Sequence, residues 1–119
     1  MDSKILGERL RQIRLQLGLT QRQLAAATNL TQSVMSRLEN GEEVYASVLL
    51  TVLRFYQGKI SLDGLFAPDF NATKEKMDYD SREKRRQQFV RQLDIIADAI
   101  NEASVTSLAQ IDRLKKDLL

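Results

Sequence analysis

The sequence contains no cysteine, no histidine and no tryptophan, and its only proline is Pro68. Without cysteine there is no thiol nucleophile and no disulfide framework, and without histidine there is no imidazole base. A zinc finger needs both residue types and is excluded with them. The carboxylates that remain fall on helical faces beside Arg or Lys, the ordinary composition of a solvated surface, so the chain is expected to be neither an enzyme nor a carrier of a metal or cofactor. No apolar run approaches the ~20 residues of a membrane span. The first residues, MDSKILGERLRQ, are amphipathic and charged where a secretory signal would be apolar, and a cytoplasmic protein that avoids membranes is expected. Charge of either sign is not in excess. The formal net charge is +2, and residues 1–70 hold 8 Lys and Arg against 7 Asp and Glu. A basic face, if the protein has one, has to come from the placement of charges rather than their number.

What is present is the composition of an all-α protein, with 43% apolar residues and many Leu, Ala, Gln and Arg among its 119 residues. That length suits one compact domain and an appendage. Ile5, Leu6, Leu10, Ile13 and Leu17 follow helical spacing and predict a first helix over residues 3–17, closed by Gly18 in a left-handed conformation. Thr20 and Gln23 stand three apart, as in a capping box, and open a second helix that ends near Thr28. A third helix follows Thr31 and stops at Asn40-Gly41. A fourth fits residues 46–56, and Ser61 is expected to cap a short fifth helix, SLDGLF, that ends before Pro68.

Residues 71–81 are polar and charged and are expected to form a linker. Beyond them Val90, Leu93, Ala97, Ile100, Ser104, Ser107, Ile111, Leu114 and Leu118 alternate steps of three and four, which is a heptad seam. The seam is weakest at residues 104–107, where Ser107 and Gln110 offer a new capping box. Residues 82–119 are therefore either one interrupted helix or a helical hairpin. The basic group Arg82, Lys84, Arg85 and Arg86 at its start suits either phosphate contact or a solvated helix face.

The stretch LGLTQRQLAAATNLTQSVMSRLENG, residues 17–41, resembles the helix-turn-helix of the Cro/cI-type repressors, the xenobiotic-response-element family. The resemblance runs from about Glu8 to Phe66. Two short helices must cross steeply around a tight turn. Ala25 is small where they approach, and Leu24, Leu30, Met35 and Leu38 supply the shared core. The left-handed turn residue, usually glycine in the family, is Asn29 here, the next-best choice for that conformation. Arg14 and Glu39 match a pair that forms a largely buried salt bridge in the family.

The resemblance implies double-stranded DNA as the partner. Val34, Met35 and Leu38 face inward on the third helix, which leaves Gln32, Ser33, Ser36 and Arg37 outward. A helix of this size fits the major groove. There Gln32 can pair with adenine and Arg37 with guanine, each contact worth ~1–3 kcal/mol of discrimination. By the resemblance Gln32, Ser33 and Arg37 occupy base-reading positions. Gln21, Thr31 and Asn40 match phosphate-contacting positions, with Arg22 and Ser36 added to that group, and Gln21 is also expected to buttress Gln32. After Gly41 the family's proline-containing loop is replaced by EEVYASVLL, and Glu42 and Glu43 weaken any phosphate contact there.

One such domain reads a half-site, so a homodimer is expected, and Val90, Leu93, Ala97, Ile100, Ile111, Leu114 and Leu118 are its candidate interface. The alternatives are a tail packed back on its own bundle or one that grips another protein, as in antitoxins with a DNA-binding domain. A pure interaction module that has lost DNA binding is a third reading. The tail is short for a separate effector domain, which disfavours a small-molecule sensor.

Overall fold

The computed structural model describes residues 1–118, and among these every regular element is helical. The helices are α1 (Ser3–Gln16), α2 (Gln21–Thr28), α3 (Gln32–Glu39), α4 (Ala46–Gln57) and α5 (Ala72–Leu118). The chain divides into two compact units, Met1–Ser81 and the segment from Arg82 onward.

Local chemistry fixes where α1, α2 and α3 begin. The side chains of Asp2, Thr20 and Thr31 accept bonds from the backbone N–H groups of Ile5, Gln23 and Val34, satisfying donors that a helix start leaves open. At α2 the capping box is complete, because Gln23 Oε1 accepts in return from Thr20 N–H at 2.9 Å.

The ends of these helices share one design. Gly18, Asn29 and Gly41 have φ of 71°, 56° and 74°. In each case the residue after the left-handed one donates back to the last turn: Leu19 to Arg14, Leu30 to Ala25 and Glu42 to Arg37, at 3.1, 2.9 and 2.9 Å. These are Schellman closures, and Asn29 fills its left-handed position as the sequence predicts.

The core of the first unit gathers Leu10, Ile13, Leu24, Ala25, Met35, Leu38, Val52 and Tyr56, with Ile60 and Leu65 from the loop after α4. α3 packs on both α1 and α2. The α1–α3 approach is close enough that a Cβ on Gly7 would lie 2.6 Å from the carbonyl oxygens of Leu38 and Glu39. α1 can reach α3 there only because position 7 has no side chain.

Two expectations are corrected. The predicted fifth helix at residues 61–66 is a run of turns, closed by Leu65 N–H to Leu62 O and Ala67 N–H to Gly64 O. Six residues interrupted by Gly64 are too few to repay helix nucleation. The segment still delivers Ile60 and Leu65 to the core.

The predicted linker at 71–81 is helical from Ala72. Asn71 caps it by accepting from Lys74 N–H at 3.2 Å, and Ala72 and Glu75 are buried in the first unit. Tyr79 Oη donates to Gly58 O at 2.7 Å, and Lys76 pairs with Asp80 at 2.8 Å. Of the charges that read as a solvated coil, Lys74 and Asp80 are exposed and Lys76 and Asp78 half-buried on this helix, whereas Glu75 turns inward. The first unit accordingly extends to Ser81 rather than ending near residue 70.

In the second unit α5 continues without a break through residues 104–107, which removes both the expected interruption and the hairpin. Thr106 Oγ1 donates to Glu102 O at 2.9 Å, a bond made within the helix itself.

Candidate nucleic-acid interface

The frame of the site is a buried ion pair. Arg14 Nε donates to Glu39 Oε2 at 2.8 Å and its second nitrogen to Oε1 at 3.0 Å, a bidentate geometry. A third guanidinium nitrogen donates to Leu19 O at 2.9 Å. The hydrogen bond to Glu39 holds the Arg14 pKa above its ordinary value. Beneath the pair lies Tyr56, whose hydroxyl donates to Leu10 O at 3.4 Å. Burial, reinforced by the Glu39 charge, pushes its phenol pKa well above the usual range.

Gln21 belongs to this frame. Its Nε2 donates to Glu39 Oε1 at 3.0 Å, and the residue is half-buried. The expected buttress from Gln21 to Gln32 is not formed. Its neighbour makes the contact instead, with Arg22 Nε donating to Gln32 Oε1 at 3.0 Å. Sequence spacing does not separate two adjacent residues at a helix start, since which of them faces the next helix depends on how the two helices are rotated about their axes.

Gln32 and Ser33 are exposed on the first turn of α3, and Arg37 is exposed one turn further along, while Met35 and Leu38 are buried on the opposite side. Val34, expected inside, is half-buried. Thr31 is exposed, with its hydroxyl engaged as the helix cap. Ser36 is half-buried and accepts from Asn40 Nδ2 at 3.4 Å. The outward residues of α3 and Arg22 thus form one polar surface.

Arg37 leans away from the first turn of α3. It donates to Glu43 O at 2.7 Å, and its Nε lies 4.0 Å from Glu42 Oε2. In this conformation the loop after α3 holds the arginine rather than approaching a phosphate. Beside it stands Tyr45, at 84% exposure the most open aromatic of the first unit and a residue that sequence reasoning passed over. Tyr45 is the N-cap of α4 and gives it no side-chain cap; the Val48 N–H donates instead to Tyr45 O at 3.0 Å. An aromatic immediately before an apolar helix with no Ser, Thr or Asp to cap it was the available signal.

Two short helices joined by a left-handed turn, the second carrying a polar outer face, define a helix-turn-helix module, a fold that reads DNA. The assignment to this protein follows from comparison: residues 5–59 match the family of helix-turn-helix domains, so the protein carries such a domain, in agreement with its resemblance to the Cro/cI-type regulators. No curated protein and no solved structure matches the chain.

The seam residues of the second unit are exposed along its whole length, from Val90 at 49% and Leu93 at 47% to Ile111 at 48% and Leu114 at 63%; Ala97, Ile100 and Leu118 are exposed with them. No helix of the described residues is long and apolar enough to cross a membrane.

Proposed function

We propose that the protein is a sequence-specific transcriptional regulator, a dimeric repressor that reads a palindromic operator through the major groove and catalyses no reaction. The observation that carries this reading is the outer face of α3. Gln32 and Ser33 stand exposed on its first turn, where recognition helices present side chains to base edges. Gln32 reads adenine. Arg37 reads guanine through the guanidinium edge that its bond to Glu43 leaves over, and Ser33 accepts either base. Thr31, Ser36, Asn40, Arg22 and Gln21 are assigned to the flanking phosphates. For Gln21 this requires leaving or sharing its bond to Glu39.

The tail supports the dimer. Its seam runs about 43 Å at the helical rise of ~1.5 Å per residue, and a 3.5-residue repeat is the pattern that helix-on-helix packing selects. A second copy presents the same stripe, so one symmetric interface covers both, and two half-sites are read at once. Bound protein then acts by occupancy, blocking polymerase in the cytoplasm where the DNA lies.

The test is selection from a random duplex pool by the full chain at about 0.1 M salt, a strength that screens weak long-range attraction. Enrichment of a two-fold symmetric site with half-sites about 34 Å apart is the expected result. A second reading, an antitoxin-like protein whose tail stripe takes another protein, draws on the same exposed seam. It is favoured by a monomeric tail together with a small partner that co-purifies in fixed ratio.

A further inference from the structure

Arg22 on α2 and Gln32 on α3 meet across the turn between their helices, with Arg22 Nε donating to Gln32 Oε1 at 3.0 Å. Both residues are exposed, and no packing requirement of the core brings them together. The consequence of the contact lies in what it does to the amide. A guanidinium carries donors only, whereas a primary amide has a donor end and an acceptor end. A free glutamine exchanges those ends by a half-turn of its amide plane. Beside Arg22 only the oxygen fits, so the amide is held in one sense, oxygen toward α2 and amino group away from it.

This matters because adenine offers an acceptor, N7, beside a donor, N6–H₂, on its major-groove edge. A glutamine reads the pair with its N–H on N7 and its oxygen on N6–H₂. Turned over, it sets donor against donor and acceptor against acceptor. Oε1 has two lone pairs, and the bond from Arg22 takes one, which leaves the other for adenine.

We propose that Arg22 is a specificity-determining positioning residue: it fixes the sense of the Gln32 amide, so that α3 accepts adenine on one strand of its base pair and rejects the reversed pair. The inference rests on the reading of α3 as the DNA-reading helix. It goes beyond the phosphate contact assigned to Arg22, which by itself would raise affinity for every sequence alike.

The experiment measures affinities of the full chain, wild type, R22M, R22K, Q32A and R22M/Q32A, for the selected duplex and for duplexes in which each base pair is changed in turn. The pair at which Q32A loses discrimination is the one Gln32 reads. At that pair R22M is expected to lose roughly 2- to 10-fold of discrimination, the range set by ordering one flexible side chain. R22M is expected to cost nothing further there once Q32A is present. R22K keeps the charge without the fixed planar N–H, and is expected to keep the salt dependence while losing discrimination. In the free protein, the side-chain amide resonances of Gln32 are expected to shift and gain mobility in R22M.

A uniform loss of affinity in R22M with discrimination intact overturns the proposal, as do Gln32 amide resonances unmoved by the substitution. Wild-type protein without sequence preference, or Q32A with full discrimination everywhere, instead overturns the assignment of α3, and the role of Arg22 falls with it.

Discussion

Gln21 Nε2 lies 3.0 Å from Oε1 of Glu39, the oxygen that also accepts from Arg14. A single buried carboxylate therefore ties α1, α2 and α3 together, and the helix that presents Gln32 is fixed in orientation from its far end. Removing charge from water is costly, so the arrangement secures geometry rather than net stability.

The ion pair makes the first prediction. Arg14→Met leaves Glu39 charged and buried, and is expected to cost about 3–5 kcal/mol in urea denaturation. Arg14→Met with Glu39→Leu removes both charges and is expected to recover most of that loss. A double variant as unstable as the sum of the two singles would show that the residues do not act as a pair.

Gly7 supplies the second. Alanine is the better helix former by roughly 0.5–1 kcal/mol, and in an isolated α1 peptide Gly7→Ala should raise helicity. In the whole protein the added methyl meets the Leu38 and Glu39 carbonyls at 2.6 Å. The net effect there is expected to be a loss of about 1–3 kcal/mol by thermal denaturation, from overpacking against rigid backbone.

Tyr56 gives a pH dependence. Its phenol pKa is raised in the folded protein above the ordinary value of 10.0. Above pH 10 the unfolded chain has released a proton that the folded chain retains, so stability falls as pH rises, at about 1.4 kcal/mol per pH unit from this one group. Below pH 10 both states hold the proton and the group contributes no slope. The difference in stability between wild type and Tyr56→Phe, followed from pH 8 to pH 11, isolates the effect; parallel curves would contradict it.

The tail can be tested without touching α2 or α3. Leu93→Asp with Ile100→Asp places two carboxylates in the exposed seam. The expected outcome is a monomer by sedimentation, with the affinity for a two-half-site duplex reduced by roughly 10²–10⁴ through lost avidity. Affinity for one half-site is expected to stay as it was. An unchanged sedimentation coefficient would assign the seam to another partner.

Much of the first unit was legible because its signals are local. Caps at Thr20 and Thr31, left-handed stops at Gly18, Asn29 and Gly41, and the apolar spacing of α1 each act within one turn of helix. The Arg14–Glu39 pair was legible only through the family resemblance, since nothing in the spacing of two residues so far apart brings them together. The failures have separate physical origins. Residues 71–81 read as a linker because charge dominates their composition, yet only Ala72 and Glu75 need to face inward for the helix to dock. SLDGLF carries a cap and an apolar pattern but lacks the length for a helix to persist. The exchange of Gln21 for Arg22 as the partner of Gln32 depends on helix rotation, which is set by the packing of α2 on α3 and not by either helix alone.

The three left-handed stops carry a further consequence, for how the chain finds its fold. Each closure reaches back only five residues, from Leu19 to Arg14, from Leu30 to Ala25 and from Glu42 to Arg37. The lengths of α1, α2 and α3 are thus decided by neighbours before any distant contact forms. The segments between these helices are short, so bringing their ends together costs little loop entropy. Closures this local favour fast folding, and the helix-turn-helix unit is expected to fold in microseconds to milliseconds, as small helical bundles do.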